Sequence, residues 1–215
     1  MLKRAKNKNK NKNKNKNKNK NKNKNKNKNK NKNKNKNKIE MPIDLSIVPE
    51  HGYVVLSILA IGIHCFLEGM KSAKVRYQVF TEDYIKQHLS AESEELKKGL
   101  GEPIKKGCHP DGGLGRFSAH LSTVDWTRFQ LAQRVHQNYL ETLTFALLSI
   151  LFAGAFYPLL ATAGALTFLF GRILFGIGFR SRPAARGPGF AITMLSLFAL
   201  AGLAAHGALR LTNLI

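Results

Sequence analysis

The chain has 215 residues and a formal charge of +22, but Lys3, Arg4 and the lysines alternating from Lys6 to Lys38 hold 19 of its 35 basic residues. That leaves 16 basic against 13 acidic groups, so the body of the protein is nearly neutral and nucleic acid is not an expected partner. Cys65 and Cys108 are too few for a disulfide framework, and Cys108-His109 has no second pair at ligand spacing, so no metal is expected.

Residues 1–40 are an Asn-Lys repeat with almost no apolar side chain to bury, so a disordered basic tail is expected. It reads either as an electrostatic arm for anionic lipid or, less expected, nucleic acid, or as an expanded low-complexity repeat without a role. It has none of the features of a signal peptide.

Residues 41–215 read as one four-span membrane unit. The first span, about 48–72, has an uncharged core from Gly52 to Leu67, closed by Glu68 and followed by Lys71, Lys74 and Arg76. Within it, Cys65 reads as a packed small hydrophobe and His64 as an interhelical hydrogen-bond donor. Residues 80–127 are a polar insertion. A short surface helix is expected over Thr81 to Lys98, then an irregular loop over 99–122, open to use as a flexible flap.

The second span, about 128–156, opens on Arg134-Val135-His136-Gln137-Asn138-Tyr139-Leu140-Glu141. Residues three and four apart share a helix face, so Arg134, Asn138 and Glu141 form one stripe with Gln137 beside it. Ionisable groups in a spanning helix face a bundle interior or a wet cavity. A cation, an amide and a carboxylate in a row suit a small zwitterionic ligand. They equally suit an Arg–Glu pair that locks helices together, and the residue types alone leave both open.

Tyr157-Pro158 ends that span, and the third, about 158–180, carries Arg172 inside it. Arg180, Arg182 and Arg186 sit in or beside a brief loop, where they read as headgroup anchors. The fourth span covers about 187–210. The short turn at 157–158 makes spans two and three antiparallel. Arg134 and Arg172 then lie at one depth, about 10 Å below one membrane face at 1.5 Å per residue. The unusual cations converge on that end. The basic residues of the connections make it the cytosolic end. The fold class expected is all-α, an integral membrane four-helix bundle.

The motif at 134–141, followed by Gly171-Arg172-Ile173-Leu174-Phe175-Gly176-Ile177-Gly178-Phe179, resembles the MAPEG family, the membrane-associated proteins in eicosanoid and glutathione metabolism. Within it the pattern is most similar to the type-3 microsomal glutathione transferases. The resemblance covers roughly 48–79 and 128–210. It implies a homotrimer in the endoplasmic reticulum that binds glutathione as co-substrate at the cytosolic end of the subunit interface. Its activity would be that of a glutathione transferase, with glutathione peroxidase or leukotriene-C synthase-type activity as variants, acting on a lipophilic electrophile or a lipid hydroperoxide.

By position, the resemblance gives Arg186 the thiol-activating role. Arg134, Gln137, Asn138, Glu141, Arg172, Lys74, Phe175 and Phe179 become glutathione-binding positions. Glu141 suits the ammonium, and Arg172 would serve the carboxylates or brace the site. Phe175 and Phe179 stand where the family has tyrosines, and Lys74 where it has arginine. The missing hydroxyls keep a second reading in view, a non-catalytic lipid-binding or scaffolding tetraspan of the same fold.

Overall fold

In the computed structural model, residues 47–107 and 112–212 are described. The Asn-Lys repeat and Cys108-His109 lie outside them. Four helices are long and apolar enough to cross a membrane. We number the helices α1 (His51–Val79), α2 (Glu82–His88), α3 (Ser90–Leu100), α4 (Thr123–Phe156), α5 (Pro158–Ser181) and α6 (Gly187–Leu211), with a 3₁₀ turn at Pro183–Arg186 before α6. The protein is an all-α membrane bundle.

Helix ends follow local chemistry. Ser122 caps α4 by accepting from the Asp125 amide at 3.1 Å, which starts the helix five residues before Arg128. Pro158 opens α5 at a position where a missing N–H costs nothing. Helix α1 runs through the polar residues after Met70 to Val79, where Phe80 closes it by donating to Arg76 O at 2.9 Å.

Helices α4 and α5 pack together and against both neighbours, while α1 and α6 meet marginally at most. Lipid offers apolar surface as good as a protein core, so close packing rather than water exclusion selects these contacts. Small residues allow it. Ala146 and Ala153 on α4 and Ala161 and Ala165 on α5 are fully buried around Tyr139, Ile150 and Phe168. Cys65 belongs to the same cluster, as expected of a small hydrophobe. Along the α5–α6 seam, Gly164 faces Leu200 and Gly171 faces Thr193. Leu56, Phe66, Phe170 and Phe198 point outward, as a lipid-facing surface requires.

The polar insertion differs from the flap expected of it. Two helices, not one, occupy 82–100, and the described residues beyond them, 101–107 and 112–122, are packed although not helical. Ile85, Leu89, Ile104 and Phe117 form a small core of their own. Phe80 joins it to the bundle by stacking edge-on to both Tyr84 and Phe129. Hydrogen bonds complete the fixation. Tyr84 donates to Phe117 O at 2.9 Å, and the Gly107 amide donates to Phe80 O at 2.9 Å. Trp126 and Gln130 of α4 both donate to Gly113 O, at 3.0 and 2.8 Å. The sequence hid this because its few apolar residues are scattered among charges. The segment is a cap on the ends of α1 and α4.

Gly113 is the cap's critical point. Its φ of +81° suits glycine alone, and a Cβ there would enter the Phe129 ring. Gly113→Val is expected to release the cap from α4. Limited proteolysis should then cleave within 101–122 faster than in the parent chain while the four long helices stay protected.

Candidate functional site

At the end of the bundle where α4 begins and α5 ends, a cavity of about 510 Å³ opens between α4, α5 and α6. Its lining is Arg134, Asn138 and Glu141 from α4, Phe175 and Phe179 from α5, Arg186 from the 3₁₀ turn, and Gly187 and Phe190 from α6. The volume falls within the roughly 300–1,000 Å³ usual for small-molecule sites.

The α4 stripe expected from the i, i+4, i+7 spacing thus lines one wall. Arg134 and Glu141 do not pair, so the locking ion pair left open above is not formed; neither takes part in a salt bridge among the described residues. Asn138 Nδ2 donates to Glu141 Oε2 at 3.3 Å. Arg186 has a ring rather than a carboxylate beside it, with its guanidinium 5.1 Å from the Phe179 centroid. The cavity therefore carries two cations and one anion, none of them in a salt bridge among the described residues, against an aromatic wall in which Phe175 and Phe179 stack at 5.5 Å.

Arg172 occupies a different place from that of a ligand contact. It is 2% exposed and lies behind Asn138 rather than in the lining. Nη1 donates to Asn138 Oδ1 at 2.8 Å, and Nη2 donates to Asn138 O at 2.9 Å and to the Thr142 hydroxyl. Its guanidinium lies 4.8 Å from the Tyr139 ring, 5.5 Å from Phe168 and 5.7 Å from Phe175. A buried cation here is held by an amide, a carbonyl, a hydroxyl and three aromatic faces. Because Arg172 occupies Asn138 Oδ1, it turns Nδ2 toward Glu141. Of the two roles open to it, the geometry is that of a brace.

Lys74 and Gln137 are exposed and do not line the cavity. Arg180 is not a headgroup anchor. It pairs with Glu68, which is 2% exposed and also accepts from Lys71 Nζ at 2.8 Å. Sequence reading passed over this pair, since Glu68 looked like the boundary of a span. The available signal was a lone carboxylate in helical register with His64 and Lys71. His64 Nδ1 lies 3.3 Å from Tyr139 Oη, the interhelical partner expected of it. No cluster of three or more His, Cys, Asp or Glu is present among the described residues.

No curated protein matches the chain. The model of the MAPEG family matches residues 72–206, which include the cap, the α4 stripe, Arg172 and the turn that carries Arg186. Four spanning helices, a polar stripe on the second and that match together place the protein: the chain belongs to the MAPEG family.

Proposed function

We propose that the cavity binds glutathione and that the protein is a glutathione-dependent membrane transferase of the type-3 microsomal kind, which also reduces lipid hydroperoxides. The observation that supports this most is the meeting of Arg134, Asn138 and Glu141 with Arg186 in one cavity, from elements some 50 residues apart in sequence. Glutathione carries two carboxylates and an ammonium. Guanidinium groups bind carboxylates bidentately, and Glu141 offers the complementary charge to the ammonium. Arg186 beside the thiol favours its ionised form, the reactive nucleophile.

The lipophilic acceptor reaches the sulfur from the bilayer, past Phe190. In conjugation, sulfur bonds to the electrophilic carbon and the leaving group departs with its electron pair. In peroxide reduction, sulfur attacks the terminal oxygen and releases the alcohol, forming the sulfenic acid of glutathione. A second glutathione then gives the disulfide and water. In this reading the protein works as a homotrimer in the endoplasmic reticulum with the cavity facing the cytosol. Lys74 and Gln137, exposed outside the cavity, fall to the interface between subunits.

Arg186→Ala tests the role of the cation. The ultraviolet absorbance of thiolate on glutathione binding should fall by about tenfold or more at neutral pH, since a close opposite charge stabilises an anion by that much. An undiminished signal would reject the role. One observation favours the non-catalytic alternative: the wall offered by Phe175 and Phe179 has no hydroxyl to steady a thiolate. That alternative predicts binding without turnover.

A further inference from the structure

Glu68 touches no part of the cavity, yet its carboxylate is almost wholly buried in a membrane-crossing helix. Such a group persists only where charges and hydrogen bonds answer it. Arg180 supplies both terminal nitrogens, Nη2 at 3.3 Å from Oε1 and Nη1 close to Oε2. Lys71 lies 2.8 Å away and His64 Nε2 3.5 Å away. His64, Glu68 and Lys71 form one stripe of α1, and Arg180 of α5 meets it at Glu68. Among the described residues, Glu68–Arg180 is the only ion pair that joins two different helices.

The pair acts on the glycine-rich end of α5. The last turns of α5 contain Gly171, Gly176 and Gly178, and each glycine lowers helix stability. The same turns carry Phe175 and Phe179, two walls of the cavity, and lead into the 3₁₀ turn that ends on Arg186. Arg180 lies back over Gly176 toward Glu68, with Nη2 3.1 Å from where a Cβ would stand. Val135 lies on the same face, 3.4 Å from that point. The end of α5 is thus held to α4 by apolar packing and to α1 by charge.

We propose that Glu68 is a positioning residue. Through Arg180 it fixes the last turns of α5, and so sets Phe179 and Arg186 against the α4 stripe. Only its consequence for the thiol rests on the glutathione reading; the positioning itself belongs to the ligand-free protein.

Hydrogen exchange of the full chain in lipid nanodiscs, without ligand, tests this in Glu68→Gln and Arg180→Lys. In Glu68→Gln, amides of residues 174–186 should exchange about tenfold faster or more, with α4 and the first half of α5 unchanged. Arg180→Lys keeps the charge but loses the fork, so a smaller rise should appear at the same amides; it decides the matter if Glu68→Gln does not fold. Unchanged rates, or a rise spread evenly over all four long helices, would overturn the proposal. With glutathione as probe, Glu68→Gln should lower thiolate absorbance per bound glutathione without an equal loss of binding. A parent protein that binds no glutathione would refute the proposed function, and the exchange pattern alone would then judge Glu68.

Discussion

Arg172→Met is expected to destabilise the bundle by about 1–3 kcal/mol, the usual cost of leaving buried hydrogen-bond acceptors without their donor. In detergent this should appear as an unfolding midpoint lower by about 5 °C. The cause is specific. Methionine fills much of the space but donates nothing, so Asn138 Oδ1 and the Thr142 hydroxyl lose their donors in a water-poor interior. Asn138 is then free to turn, and its 3.3 Å bond to Glu141 goes with it. Arg172→Lys keeps the charge without the fork and should fall between the two. A midpoint unchanged in Arg172→Met would mean that the brace contributes no stability.

Gly189→Val is expected to cost about 3 kcal/mol, at the upper end for overpacking, because the obstruction is backbone rather than a movable side chain. A Cβ at Gly189 would run into the Phe175 backbone, so α5 and α6 are in contact there at main-chain distance. Separating them also moves Phe175 and Phe190, two walls of the cavity. Gly202→Ala is the internal control. Nothing lies within 4 Å of a Cβ at Gly202, so alanine should be neutral or stabilising by up to about 1 kcal/mol through helix propensity. Thermal unfolding of the two variants side by side separates packing from propensity.

The parts of this molecule that could be read in its sequence were those governed by period. Arg134, Asn138 and Glu141 declared a shared face through spacing alone, and the cavity does gather them. The antiparallel turn at Tyr157-Pro158 was enough to bring Arg172 to the level of the stripe, where it meets Asn138. What spacing could not fix was direction across helices. Arg172, inside the third span, and Arg180, at its end, are both lone cations of one helix in the sequence. One turns inward to brace Asn138, while the other lies back over Gly176 to a carboxylate on α1. That choice is made by the partner each one meets, Asn138 on α4 or Glu68 on α1, and a partner on another helix has no periodic signature. The cap escaped for a related reason. Its core of Ile85, Leu89, Ile104 and Phe117 is assembled across turns rather than along one helix face.

The most direct measurement is titration of the purified, detergent-solubilised protein with glutathione. Thiolate absorbance should be followed first, then turnover with a generic electrophile and with a lipid hydroperoxide. Saturable binding with a thiolate signal and turnover of at least one acceptor is the predicted result. It would make the two arginines and Glu141 an active site despite the hydroxyl-free wall of Phe175 and Phe179. Binding without turnover would contradict catalysis while keeping the ligand. No binding would contradict the account at its centre and leave the cavity to a lipid or a protein partner.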